Sequence, residues 1–404
     1  MTVLPELAAV QRRTIAVLAG GQVLGGISFG ATISLGAVLA ARVSGNDALS
    51  GWATAAITLG TAATAIPLAA LARRRGRRPS LTLGLGVALV GVALVILAVR
   101  GGSFPLLLAA FLLIGAGQAS NLQTRFAAAD LATDATRGRD LSVVVWATTV
   151  GAVAGPNLVG PGELLGAQVG MPPLTGAYLF TIVGQLLGIA LILLGLRPDP
   201  LLLAQRVVLA ARDAGTAAPI AREDRPVAAG YATGAIVGAH MVMVAIMAMT
   251  PIHLLHHGAS LTVVGVTISL HVLGMFALSP VMGVLADRWG RSPVILAGCA
   301  ILAGCVATVA LAEHNTAAVT VALVLLGLGW SAVTVAGSTL LTEASAEDVR
   351  TQRQGRTDFA MSLAGAVGAV AAGGALSWVG FSGLALFALP VIAAVAVLTP
   401  LARR

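Results

Sequence analysis

The stretch TIAVLAGGQVLGGISFGATISLGAVLA, residues 14–40, contains no charged residue and follows directly on Arg12 and Arg13. About 20 apolar residues in a helix cross the hydrocarbon of a bilayer, so this run is long enough to span. Eleven further runs of the same kind follow, at residues 52–71, 79–99, 105–122, 141–159, 174–196, 227–249, 261–286, 294–312, 317–341, 359–378 and 382–398. The expectation is an all-α membrane protein with twelve transmembrane helices. Composition agrees. Of 404 residues, 57% are hydrophobic and only 10% charged, where a soluble domain carries about a quarter. The first run is too long for a cleavable signal peptide and ends at Arg42, so it is expected to stay as a span.

The net charge of +8 could point to nucleic acid, but the basic residues are not gathered on one polar domain. All 24 are arginine. With the first span running outward, every one except Arg42, Arg100 and Arg125 falls at a terminus or loop on the inner side. This positive-inside bias predicts a multi-pass protein of the inner membrane with both termini cytoplasmic. The partners expected are the lipid bilayer and a small solute, with no nucleic acid, on a monomer. Cys299 and Cys305 share the ninth span, and packing suits them better than a disulfide framework.

The longest polar break, residues 197–226, divides the chain into residues 1–196 and 227–404, each with six spans. Within the break, residues 201–214 read as a short helix on the cytoplasmic surface, with Arg206 and Arg212 at the headgroups. The halves repeat. A shift of about 214 lays ARRRGRRP (residues 72–79) on ADRWGRSP (residues 286–293), and a shift of about 217 lays Gly138-Arg139 on Gly355-Arg356. Two pseudo-symmetric six-helix bundles are expected, with a substrate site between repeats near the midplane.

In this arrangement the chain resembles the major facilitator superfamily over its whole length. The run GVLADRWGR, from Gly283 to Arg291, is similar to that family's loop motif, here at the eighth and ninth spans. The resemblance implies a conformational latch built on Asp287, Arg288 and Arg291. The first-half copy departs from the pattern, with Arg73 at the Asp position and Ala69 at the Gly position, and Asp130 is a candidate partner for its arginines. No phosphate loop, catalytic carboxylate pair or Ser/His/Asp order supports an enzyme, and no permanently bound cofactor is expected.

Ionisable and coordinating side chains inside a span are costly and are functional candidates by default. Span seven carries Met243 and Met247, four apart on one helical face, with His240 one turn away; span eight carries His271 and Met275, also four apart. As consecutive antiparallel spans, their faces are expected to meet. Thioethers and imidazole form a soft donor set suited to Cu(I); each pair alone also reads as core packing, and a mid-span His as a proton carrier. Met-x-x-x-Met in span seven with His-x-x-x-Met in span eight resembles the CcoA-like copper importers. That resemblance implies copper as the transported substrate, supplying assembly of a copper-containing respiratory oxidase.

His253, His256 and His257 crowd the following outer loop, either as a metal-collecting mouth or as solvated residues, and His314 is given no role. Arg125 faces the cavity or pairs with Asp130; Glu343 and Asp358 read as interface charges first. The rival reading is a proton-coupled exporter of drugs or small organic molecules, because Gly151, Gly155, Pro156 and Asn157 resemble the span-five motif of drug/proton antiporters. The mid-span arginine that those exporters carry in span four is missing, with Leu113 and Ile114 in that stretch.

Overall fold

A chain with no water around it must satisfy its backbone internally, and a helix does so within one segment. The computed structural model, which describes residues 3–46, 49, 51–213 and 222–403, is accordingly helical along most of each apolar run. In order the helices are α1 (Val3–Ser44), α2 (Trp52–Arg75), α3 (Arg77–Gly101), α4 (Phe104–Ala128), α5 (Arg137–Asn157), α6 (Val159–Gln168), α7 (Tyr178–Gly195), α8 (Pro200–Asp213), α9 (Pro226–His256), α10 (Leu261–Phe276), α11 (Ser279–Trp289), α12 (Arg291–Ala312), α13 (Thr316–Glu343), α14 (Glu347–Leu386) and α15 (Leu389–Val397). Nine helical stretches among the described residues are long and apolar enough to cross a membrane. Together α5 and α6, with α1 and α14, cover the remaining three runs. Burial is inverted relative to a soluble protein: Arg77, Arg137 and Arg350 are fully buried, while Trp378 and Leu311 lie on the surface, where lipid solvates them.

Some spans break internally. Span eight is α10 followed by α11, the break preceding Pro280, and span five breaks after Pro156 between α5 and α6. The side chains of Pro156 and Asn157, and all of residues 214–221, lie outside the described residues. The linker helix covers Pro200–Asp213, and it packs Leu203, Val207 and Val208 against Leu7 and Leu131. Its apolar face is thus turned onto protein, and Arg206 stays exposed.

Two compact units result. The first contains Met1–Ala132, Ala147–Ile220 and Gln354–Phe359; the second contains Thr133–Trp146, Ala221–Arg353 and Ala360–Arg404. The division follows the two halves of the chain except at the starts of α5 and near the start of α14, where a short segment joins the other unit. Both exchanges occur at repeat-related glycines. Gly138 packs against the backbone of Gly283, and Gly355 against Ala69, so closely that a Cβ on either would collide. A matching pair of turns also marks the repeat: Gly76 between α2 and α3 has φ +94°, and Gly290 between α11 and α12 has φ +95°. Side chains rarely adopt that region, and glycine does so freely.

Candidate functional site

Within the second unit, α9 and α10 each pack chiefly along α13, and only slightly on each other. The expected direct meeting of spans seven and eight is therefore replaced by an arrangement around α13. The reason is a pair of glycines. Gly274 and Gly327 let α10 and α13 approach until an added Cβ on Gly327 would lie 2.5 Å from the His271 carbonyl and 2.9 Å from the Met275 amide. This closeness brings the His271 Nδ1 within 2.7 Å of the Leu323 carbonyl oxygen. A carbonyl only accepts, so Nδ1 carries the proton and Nε2 presents a lone pair. That Nε2 is buried and has no protein partner. Met275 lies one turn on and is buried, as is Met243; Met247 is partly exposed.

His240 is placed differently. Its Nδ1 accepts a hydrogen bond from Trp330 Nε1 at 3.2 Å, and its ring lies against Gly365 of α14. The ring that reads as an extension of the methionine pair thus already spends one lone pair on α13.

At the opposite end of the second unit from the arginine-rich loops, the histidines regroup. His253 is buried and stacked on Phe381, and its Nε2 reaches the Glu313 carbonyl at 2.7 Å. His257 lies 4.2 Å from it, ring centre to ring centre. His314 then meets His257, Nδ1 to Nε2, at 3.0 Å. His256 is exposed and takes no part in these contacts. The cluster is therefore His253, His257 and His314. Sequence proximity grouped His256 with them and left out His314, which the loop between α12 and α13 supplies from 57 residues away.

At the arginine-rich end, Asp287 accepts from the backbone N–H of Gly138 and of Arg139, both at 2.8 Å, and lies 3.4 Å from Arg291. It caps the first turn of α5, where unpaired amides and the helix dipole favour an anion. Arg291 also donates to Glu343 at 3.0 Å. Arg288, grouped with them by its place in the motif, is exposed at the end of α11 and stands apart from this contact.

In the first unit, Arg77 donates to Asp130 at 2.8 Å and to Gln354 at 2.7 Å. Asp199 supplies a further acceptor, taking the Arg78 N–H at 2.8 Å. Arg125 does not pair with Asp130. It donates to Asp358 at 2.5 Å, with both side chains buried. Arg125 Nε and Asp358 Oδ2 have no partner among protein groups. In the sequence Asp358 reads as an interface charge with no visible tie to Arg125, because no local signal joins residues 233 positions apart.

The chain matches the Major Facilitator Superfamily over residues 18–253 and 232–404. It belongs to that superfamily. Two uncharacterized MFS-type transporters of Bacillus subtilis strain 168 are similar to it. YdeG is 36% identical over 392 residues, covering 95% of this chain and 89% of the relative; YddS is 36% identical over 375 residues, covering 91% and 84%. The riboflavin transporter RfnT of Brucella anthropi is 30% identical over 403 residues, covering 96% of each. Among solved structures, the human organic anion transporter MFSD10 superposes with a TM-score of 0.74 at 18% identity, covering 96% of this chain and 99% of that one. The proton:xylose symporter XylE gives 0.69 at 16%, covering 97% and 94%. At such identities these structures speak to the fold alone. The major facilitator chain is thus a multi-pass secondary transporter.

Proposed function

We propose that this major facilitator transporter imports copper, as Cu(I), across the inner membrane into the cytoplasm. In this reading Met243, Met247, His271 and Met275 pass the ion along and do not cage it together. The observation that supports it is the buried His271 ring, held by the Leu323 carbonyl at one nitrogen and unpartnered at the other. Metal-binding histidines commonly donate their second N–H to a carbonyl, which fixes the tautomer and raises the basicity of the ligating nitrogen. The Met275 thioether one turn away adds the softness that Cu(I) prefers. In this reading the resemblance to the CcoA-like importers assigns the copper to assembly of a copper-containing respiratory oxidase.

A second reading is import of a small organic solute, favoured by the near full-length similarity to a riboflavin transporter. Drug export rests only on the span-five glycines and proline. The readings separate in one experiment: radiocopper and riboflavin uptake by cells carrying wild type, Met247→Ala or His271→Ala at matched protein levels. The copper reading expects both substitutions to lower copper accumulation about tenfold or more, with riboflavin uptake at background. Equal copper accumulation in all three strains overturns it, and riboflavin uptake above background in wild type then favours the second reading.

A further inference from the structure

His257 and His314 come from different segments of the second unit, yet their ring nitrogens face each other at 3.0 Å. Two imidazole nitrogens bound to one metal at about 2.0–2.1 Å stand roughly 2.9–3.3 Å apart for bond angles between square and tetrahedral. The pair is therefore already spaced for a shared ion. The surroundings of His257 fix its proton suitably. The Nδ1 of His257 lies 2.9 Å from the His253 carbonyl, so it carries the proton and leaves Nε2 as a lone pair aimed at His314. His314 turns Nδ1 to that lone pair, and its far nitrogen, Nε2, lies 3.9 Å from a Glu313 carboxylate oxygen. That carboxylate is itself anchored by the Ser382 N–H at 2.8 Å. The carbonyl behind His257 is an outer-shell contact of the kind that orients metal-binding histidines, and the Glu313 carboxylate lies near His314 without a hydrogen bond to it.

We infer that His257 and His314 form a two-imidazole site for a divalent, imidazole-seeking cation such as Cu(II) or Zn(II). The site stands on its own geometry and does not depend on what the transporter carries. No group of three or more His, Cys, Asp or Glu side chains converges on a metal position among the described residues. Water therefore completes the coordination, and the ion exchanges readily. Without metal the two nitrogens share one proton in a hydrogen bond; on binding, His314 moves its proton to Nε2, toward Glu313. Occupancy ties the end of α9 to the loop between α12 and α13, bracing the second unit at the end away from its arginines.

The test uses the full-length protein, purified on a histidine-free tag, stripped with chelator and titrated with Cu(II) under electron paramagnetic resonance. Wild type should bind one Cu(II) with nitrogen hyperfine structure. His257→Gln and His314→Gln should each weaken binding about tenfold or more, while His256→Gln, at an exposed neighbour, should bind as wild type. The three glutamine substitutions fall on exposed side chains, His271 is buried, and size-exclusion profiles check the folding of every variant. Unchanged affinity in both His257→Gln and His314→Gln overturns the proposal. So does loss in His271→Ala with retention in those two, because the ion would then sit beside α13 and not between the loops.

Discussion

Removing the Asp358 carboxylate while keeping Arg125 leaves a guanidinium with 4% side-chain exposure and no counter-charge. Breaking a buried ion pair from one side typically costs about 3–5 kcal/mol, whereas replacing both partners costs far less. Asp358→Asn should therefore lower the thermal unfolding midpoint of the purified protein clearly. The double variant Arg125→Gln with Asp358→Asn should recover much of that loss. A double variant as unstable as the single one would show that the pair's packing, and not its charge, holds the first unit. The sequence offered Asp130 as partner because it is near. Five residues along a helix turn through about 140°, so the two side chains diverge, and Asp130 lies beyond the end of α4 on Arg77. Pairing at this depth is decided by tertiary placement, which a single sequence does not display. His314 went unread for the same reason, since its contact with His257 exists only once two loops meet.

Where a helix packs through glycine, the glycine controls what its neighbour can present. Gly327→Val would push α10 away from α13 and break the Nδ1 contact to Leu323, releasing the His271 ring. Transport should then fall about as far as in His271→Ala, with the protein still inserted; uptake at wild-type level would show that the ring needs no fixed tautomer. The α5 cap makes a second case. Asp287→Ala removes two amide acceptors and should destabilise the start of that helix by about 1 kcal/mol. Faster amide hydrogen exchange at Gly138 and Arg139 checks this, and unchanged exchange would show that the cap is idle. Charge at the linker exit matters less. Hydrogen bonding from Arg353, at 2.5 and 3.0 Å, holds the Asp224 carboxyl below its usual range. A lowered carboxyl contributes stability above its unfolded pKa and loses it as pH falls through the folded value. With the Asp224 side chain 39% exposed, the contribution is a few tenths of a kcal/mol. Asp224→Asn should thus melt like wild type at neutral pH. At this scale hydropathy located the spans well. It did not reveal the breaks at α5/α6 and α10/α11, because a kinked span is as apolar as a straight one.

For the molecule as a whole, the distribution of arginine leads us to propose that the α2–α3 and α11–α12 turns face the cytoplasm and the histidine cluster faces out. Cys299 and Cys305 are buried, so a single introduced cysteine can be followed in the otherwise native chain. His256→Cys should react with an impermeant maleimide on intact cells, and Arg74→Cys only after permeabilisation. The reverse pattern would invert the topology and, with it, the direction assigned to copper.

The pair of glycine turns carries a consequence for ancestry. After each turn the next residue is an arginine, Arg77 or Arg291, and each reaches a carboxylate at the far end of the span that follows its own, Asp130 or Glu343. A tandem duplication of one six-helix ancestor accounts for both copies at once. The motif aspartate exists in only one half, and the soft donors of spans seven and eight are likewise confined to one. What both halves share was therefore inherited before they parted, and what differs was acquired or lost afterwards. By that reckoning the turn and its arginine belong to the machinery of moving any cargo, and the histidines and methionines proposed as ligands to the later choice of one.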